Sequence, residues 1–469
     1  MSMLMDRPTD ANPPASSPIS SPVGGTPLPA PRRGRLNDTD VLAVLSAFAF
    51  LVVGTWSAHG GLRALGAWDS AWTSLASLSG LLTSAVALVA LVLVARPRSI
   101  ERRYGLDRLF VWHRILGDSM GLLLAVHIAV SLVAWSRDLG FADAVSQLTG
   151  AEPYMALATV GAFLVGVVVI TSLKAVRRTL SYETWWFVHL LAYAGFAVAF
   201  SHTITLGTDF ADDPVARWIW ISLHVAVAAL LLVSRWGATV VSLVRPLRIR
   251  SVTRLNPDTV AVEIGGKSLR RRSGAAGQFC FLRPLARGLW WQAHPFSLSA
   301  APTTDTLRFT IKDRGDATSS IGSLRPGRRV AVEGPFGAVT PEVLEGRKAL
   351  FVVGGVGVAP AVAMLQTLTL SHEPVVLYRA HSESDLVHVD ELHELCERLG
   401  GRLRTLVGPT ARLAVKDPFS VSVLSTVVPD IADRGIVVCG PDRLVHAARA
   451  GAKACGVPPS NIHSEHSWW

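Results

Sequence analysis

At 469 residues the chain exceeds one ordinary domain, and a mean hydropathy of +0.37 with 50% hydrophobic residues exceeds what a soluble protein usually carries. The net charge of +10 is scattered over short loops and the C-terminal half without a basic stripe or stacking aromatics, which argues against nucleic acid as a partner. Cys280, Cys396, Cys439 and Cys455 form no CxxC run, which argues against a protein-held iron–sulfur cluster or zinc site.

Residues 1–36 are rich in Pro and Ser and contain no apolar run of signal-peptide type, so they read as a disordered cytosolic tail. Six apolar stretches follow within residues 37–240, near 41–58, 74–95, 110–135, 154–173, 184–205 and 215–234, each about long enough to span a bilayer as a helix. Basic residues concentrate in alternate loops. Arg96, Arg98, Arg102, Arg103 and Arg108 lie between the second and third stretches, and Lys174, Arg177 and Arg178 between the fourth and fifth; the last loop carries Asp209, Asp212 and Asp213 instead. Since Lys and Arg are retained on the cytoplasmic side, both termini are expected inside, in a multi-pass protein of the plasma membrane.

The third stretch holds His113 and His127, and the fifth holds His189 and His202. An ionisable ring in lipid needs a partner. Interhelical hydrogen bonding would satisfy a single histidine, but the set has a pattern. His113 and His127 are fourteen residues apart, nearly four helical turns, so both rings share one face about 21 Å apart along the axis. That leaves room for two stacked haems, each taking two neutral imidazoles. The third and fifth stretches run in the same direction, which pairs His113 with His189 and His127 with His202. The thirteen-residue spacing of the fifth stretch turns its rings about 140° apart on an ideal helix, so a bulge near Gly195 is expected there. His224 and His59 have no matching partner and read as packing and surface residues.

From residue 241 to 345 short alternating runs such as TVAVEIGG and LRFTIKDR, separated by Gly and Pro turns, predict an antiparallel β-barrel. From 346 to 469 apolar strands alternate with helical patterns, which predicts an α/β doubly wound domain. Gly354, Gly355, Gly357 and Pro360 follow a strand and open a helix, the setting of a dinucleotide-binding turn. The expected architecture is therefore multi-domain: a six-helix transmembrane bundle, a barrel and a doubly wound domain.

Two histidine pairs in the third and fifth of six spans, followed by such a module, resemble the ferric reductase and NADPH oxidase superfamily, from the first span to the last residue. Within it, His294, Pro295, Phe296 and Ser297 resemble the flavin motif, which implies that this strand lies along the FAD ring with Ser297 near the nitrogen that accepts hydride and His294 toward the diphosphate. Lys312, Gly315, Thr318 and Ser319 stand where such proteins hold the FAD phosphates, although Thr318 taken alone is an ordinary helix cap. Cys439, Gly440 and Pro441 match the motif beside the nicotinamide ring. Glu465 matches the acidic residue that accompanies the serine and cysteine, and Trp468 takes the place of the family's terminal aromatic, shifted by the intervening Ser467. Arg379, just after a strand, is expected to pair with a 2′-phosphate, which favours NADPH while leaving NADH open.

The resemblance implies electron transfer from NADPH through FAD and two b-type haems, inner and then outer, to an acceptor across the bilayer. In the superfamily the acceptor is a ferric chelate or dioxygen. Superoxide-producing relatives tend to carry a second histidine one turn after the outer third-span ligand, and Ser131 here favours ferric iron. A protein electron acceptor is the other alternative.

Overall fold

The computed structural model describes residues 26–28, 37–151, 153–210, 212–271, 274–286, 288–409 and 417–466. Two units separate, one running from Arg35 to Arg235 and one from Trp236 onward that includes residues 26–28.

Six helices long and apolar enough to cross a membrane dominate the first unit. They are α1 (Asp38–Ala58), α2 (Trp68–Ala95), α3 (Leu106–Leu139), α4 (Pro153–Ser172), α5 (Tyr182–Leu206) and α6 (Pro214–Val244). Asn37 starts α1 with a reciprocal cap to Asp40, which satisfies backbone donors that a helix end leaves open. The sixth helix reaches Val244, well past the expected end at 234, because VVSLV continues its apolar pattern. The second span is the most enclosed, and its small buried residues Ser79, Ser84, Ala85 and Ala87 let neighbouring helices approach closely. Two close partnerships result, α2 with α3 and α4 with α5.

The fifth span corrects one expectation. It runs as uninterrupted α-helix through Gly195, without a bulge. Gly195 instead permits backbone contact with α4, since a Cβ there would come within 2.9 Å of the Gly161 carbonyl oxygen. Both of its histidine rings nevertheless reach their partners on α3.

In the second unit, β1 (Leu247–Asn256), β2 (Thr259–Gly265), β3 (Phe279–Pro284), β4 (His294–Ser297), β5 (Thr306–Lys312) and β6 (Arg329–Phe336) form an antiparallel sheet in the order β4-β3-β6-β1-β2-β5. Its two edges meet where Leu298, just past β4, bridges Phe309 of β5. Leu307, Phe309 and Ile311 point into the apolar interior with Leu282, Leu298 and Val332. The intervening Arg308, Thr310 and Lys312 therefore point out of it.

Of residues 1–36, expected to form a tail, only 26–28 are among the described residues, and these three pack on the sheet. Pro27 bridges Thr303, the Leu28 N–H donates to the Pro302 carbonyl at 3.0 Å, and Leu28 is 7% exposed within the barrel core. An apolar side chain between two prolines already favours extended backbone, and burying it outweighs the composition around it.

The remaining five strands are parallel. They are β7 (Ala349–Gly354), β8 (Val375–Ala380), β9 (Arg402–Val407), β10 (Gly435–Gly440) and β11 (Ile462–His466), in the order β11-β10-β7-β8-β9. Apolar clusters cover both faces, which explains why these strands read as continuous hydrophobic runs. The helices used below are α7 (Asp316–Gly322), α8 (Val358–Leu365), α9 (Val389–Arg398) and α10 (Asp442–Ala454).

Candidate redox sites

In the membrane unit the structure brings the four histidines together as two pairs. The ring centres of His113 and His189 are 6.2 Å apart, and those of His127 and His202 are 6.4 Å apart. A transition metal held between two opposed imidazoles, about 2 Å from each nitrogen, puts the ring centres about 6 Å apart, so both pairs have the spacing of a bis-imidazole iron site. The residues present fit two haems.

Each ring is also anchored on its far side. The Nδ1 atoms of His113 and His127 lie 3.0 and 2.9 Å from the carbonyl oxygens of Ala90 and Ala76 on α2. His202 turns its Nδ1 back to the Ala199 carbonyl, one turn earlier on its own helix, and His189 approaches the Ser172 hydroxyl at 3.4 Å. Such outer hydrogen bonds fix ring orientation in metal-binding histidines. Trp185 stacks on His189 at 4.8 Å and donates to Ser172 at 3.3 Å, while the Arg177 guanidinium lies 4.7 Å over the indole. Sequence reasoning missed Ser172 and Trp185, and only the one-turn spacing of Trp185 and His189 on a helix could have pointed to the latter.

His224 donates or accepts within a packed setting, 3.2 Å from the Ser84 hydroxyl and against Phe196, Phe200 and Trp220. His59 pairs with Asp213 at 3.3 Å. A polar cavity of about 150 Å³, lined by His59, Ser74, Ser77 and the buried Asp209 among others, borders the stretch of α2 whose Ala76 anchors His127.

In the second unit, His294, Pro295, Phe296 and Ser297 form β4, half-buried and paired with β3. The His294 Nε2 lies 2.8 Å from the Gln292 side-chain oxygen. Lys312, which the resemblance places among the residues that hold the FAD phosphates, is engaged by two carboxylates. Its ammonium donates to Asp385 at 3.0 Å and pairs with Asp258 at 3.1 Å; burial pulls its pKa down, but these two carboxylates outweigh that and raise it. Gly315 precedes α7, where the Thr318 hydroxyl donates to the Gly315 carbonyl and accepts from the Arg314 N–H. The Ser319 hydroxyl and the Gly315 N–H hold the Asp313 carboxyl below its ordinary value, so this turn already carries an internal anion.

The glycine turn and the cysteine motif lie side by side at the C-terminal ends of β7 and β10, where Val353 pairs with Cys439. Gly355 adopts φ +55°, and a Cβ on Gly357 would come within 2.4 Å of the Cys439 carbonyl oxygen. Pro360 sits in the first turn of α8. The buried Tyr378 hydroxyl donates to the Gly355 carbonyl at 3.4 Å and accepts from the Val387 N–H at 3.1 Å, and burial pushes its pKa up to about 12. Cys439 is buried, followed by Gly440 and Pro441 before α10, and the backbone of Glu465 pairs with that of Cys439. Trp468 lies outside the described residues. Arg379 turns its guanidinium back onto the sheet, donating to the carbonyls of Ala380, Leu406 and Gly408 at the ends of β8 and β9. It is thus engaged with backbone where a 2′-phosphate contact was expected.

Sequence reasoning also missed the seam between barrel and nucleotide lobe. The outward residues of β5 meet the lobe in register: Arg308 with Glu391, Thr310 with His388 at 2.8 Å, and Lys312 with Asp385. Burial pushes the Glu391 carboxyl up, but the hydrogen bond to His388 and the adjacent Arg308 charge outweigh it and hold the group at about 2. The alternating R-x-T-x-K pattern of β5 is the signal that was available, a polar row on a strand whose other face is fully apolar.

Two family models match the chain: a ferric reductase like transmembrane component over residues 79–200 and an FAD-binding domain over residues 245–340. The first covers His113, His127 and His189 and stops short of His202. A superoxide-generating NADPH oxidase heavy chain from Dictyostelium discoideum is 26% identical over 251 residues, 48% of this chain and 44% of that protein. The ferredoxin reductase component of a 3-ketosteroid-9-alpha-monooxygenase from Mycobacterium tuberculosis (strain ATCC 25618 / H37Rv) is 28% identical over 202 residues, 42% of this chain and 55% of that protein. The solved Amycolatopsis cytochrome P450 reductase GcoB aligns with a TM-score of 0.41 at 23% identity, covering 47% of this chain and 69% of that one. The chain spans about half the length of the curated relatives it matches. With six helices long and apolar enough to cross a membrane, a match to the ferric reductase transmembrane component and a match to an FAD-binding domain ahead of a parallel sheet, the chain is similar to the ferric reductase and NADPH oxidase superfamily over both of its units.

Proposed function

We propose that the chain is a transmembrane flavohaem oxidoreductase that moves electrons from a cytosolic NAD(P)H to a small acceptor on the opposite side of the plasma membrane, with both termini cytoplasmic. The observation that carries this reading is the pair of opposed imidazole couples, 6.2 and 6.4 Å between ring centres, two on α3 and two on α5. When bound, FAD takes two electrons from the nucleotide and releases them singly, and the two haems relay them through the bilayer.

The chain's own residues supply ligands, orientation and enclosure. His113 with His189, and His127 with His202, hold the inner and outer irons, and their anchored Nδ1 atoms keep each ring turned to its partner. On the cytosolic side, β4 with His294, Pro295, Phe296 and Ser297 lies along the flavin. The turn of Gly354, Gly355 and Gly357 receives the nucleotide diphosphate, and Cys439, Gly440 and Pro441 admit the nicotinamide ring closely. Cys439 and the neighbouring Glu465, with Trp468 as the stacking aromatic, complete that face. The basic loops between α2 and α3 and between α4 and α5 support the orientation.

Ferric iron is the favoured acceptor, because Ser131 stands where superoxide-producing relatives tend to carry histidine. Dioxygen is the second reading, favoured by the matched NADPH oxidases, one of them named as superoxide-generating. Nucleotide oxidation by the purified chain in detergent separates the two. Turnover without oxygen that requires a ferric chelate supports the first; superoxide formation at a comparable rate overturns it. An absence of any dithionite-reduced haem spectrum would overturn the whole assignment.

A further inference from the structure

The hydrogen bonds across the seam close a ring that joins the flavin-motif strand to the nucleotide-turn helix. Arg308 donates through Nε to the Ser299 carbonyl at 3.2 Å and through its terminal nitrogen to both oxygens of Glu391 at 2.7 and 3.0 Å. Gln366 donates to the same Glu391 carboxylate at 2.8 Å, and its side-chain oxygen accepts from the Ala301 N–H at 2.8 Å. Ser299 and Ala301 lie two and four residues past the end of the strand formed by His294, Pro295, Phe296 and Ser297, and Gln366 directly follows α8, which the glycine turn opens. His388 adds a second tie, 3.1 Å from Glu391 and 2.8 Å from Thr310.

Stability alone is a poor reason for such a ring. An ion pair taken out of water gives little or no net stabilisation over apolar residues of the same volume, because desolvation offsets the attraction. Arg308 is 6% and Glu391 19% exposed in their side chains, so that cost is incurred here. What a charged, forked contact supplies and an apolar one does not is direction.

We propose that Arg308, Glu391 and Gln366 are positioning residues that set the approach of the nicotinamide to the flavin, an inference that rests on the cofactor sites proposed above. The step they serve breaks one C–H bond of the nicotinamide and passes its hydride, with both electrons, to the flavin ring nitrogen, leaving NAD(P)+ and the two-electron-reduced flavin anion. None of the three touches a reacting atom. They act by fixing β4 against α8, and a displacement of about 1 Å between reactants is enough to slow such a step by roughly 100-fold.

The test is anaerobic stopped-flow bleaching of the flavin by NADPH in the purified full-length holoprotein, with variants Glu391→Gln, which keeps the shape of the side chain, and Gln366→Leu, which opens the ring without removing a charge. The expected result is a limiting reduction rate lowered roughly 10- to 100-fold with nucleotide Kd and flavin content unchanged, and a weakened charge-transfer band between flavin and nicotinamide. A limiting rate equal to that of the parent protein in both variants overturns the bracket, as does a fall in rate that only follows loss of flavin. Failure of both NADPH and NADH to bleach the parent protein would overturn the function itself, and so is distinguishable.

Discussion

Arg308 on a barrel strand and Glu391 on the first turn of a nucleotide-lobe helix meet at 2.7 Å, largely shielded from solvent, and the pKa of the carboxyl is held at about 2 against an ordinary 4.5. A carboxylate depressed by folding stabilises the fold above its unfolded pKa and loses that contribution as pH falls toward the folded value. The contribution of Glu391 is therefore complete above pH 4.5 and fades toward about 2; it amounts to no more than about 3 kcal/mol. The melting-temperature gap between the protein and Glu391→Gln is expected to be constant at neutral pH and to narrow below pH 4.5. A gap that stays flat through that window would show that the carboxyl is not depressed.

Haem content gives the sharpest test of the membrane unit. Replacing His113 or His189 by Ala should remove one haem, and replacing His127 or His202 the other, so a pyridine haemochromogen assay falls from two equivalents to one in each case. Retention of both haems in any one of these four variants would sink the paired assignment.

Gly357 has no room for a side chain. In Gly357→Ala the added methyl meets the Cys439 carbonyl, which forces the two turns apart at a cost on the order of 1–3 kcal/mol. The nucleotide KM should rise while flavin content is retained. An unaltered KM would mean that the turns need not touch for nucleotide to bind.

Leu28 anchors an N-terminal segment on the barrel. Leu28→Ala deletes most of a buried side chain and is expected to lower barrel stability by about 2 kcal/mol, read as release of flavin fluorescence at lower denaturant. Identical unfolding midpoints would place the segment off the barrel in solution.

Arg379 separates two roles cleanly. Its guanidinium is engaged by the carbonyls of Ala380, Leu406 and Gly408, so Arg379→Ala should weaken the β8–β9 edge and lower thermal stability. The ratio of kcat/KM for NADPH to that for NADH should stay the same. A collapse of that ratio would restore the phosphate-binding role that its sequence position suggests.

Much of this architecture was legible in the residues themselves. Six apolar runs of spanning length, the alternation of β5 and the unbroken hydrophobicity of β7 and β10 each follow from a periodicity that burial imposes. The partnership of His113 with His189 could be argued from helix direction and spacing. What spacing did not reveal was that α5 stays an unbroken helix through Gly195 while both of its rings meet those of α3, because spacing on one ideal helix says nothing of how its neighbour is placed. Leu28 was hidden by its prolines and serines, since composition averages over a window and burial acts on one residue. The contacts of Lys312 and Arg379 were illegible for a different reason. A cation beside a phosphate-binding motif and a cation tying two elements together look identical until the opposing carboxylates and carbonyls are located.

The carbonyl anchors of His113, His127 and His202 have a chemical consequence for loading the membrane unit. A carbonyl oxygen only accepts, so each of these rings must keep its proton on the nitrogen facing the backbone, and the opposite nitrogen carries the free electron pair. The tautomer is thereby written into the helix bundle before any porphyrin arrives. A haem iron held at these rings would therefore meet neutral imidazoles already turned to offer that electron pair, and its binding would require neither loss of a proton nor a ring flip.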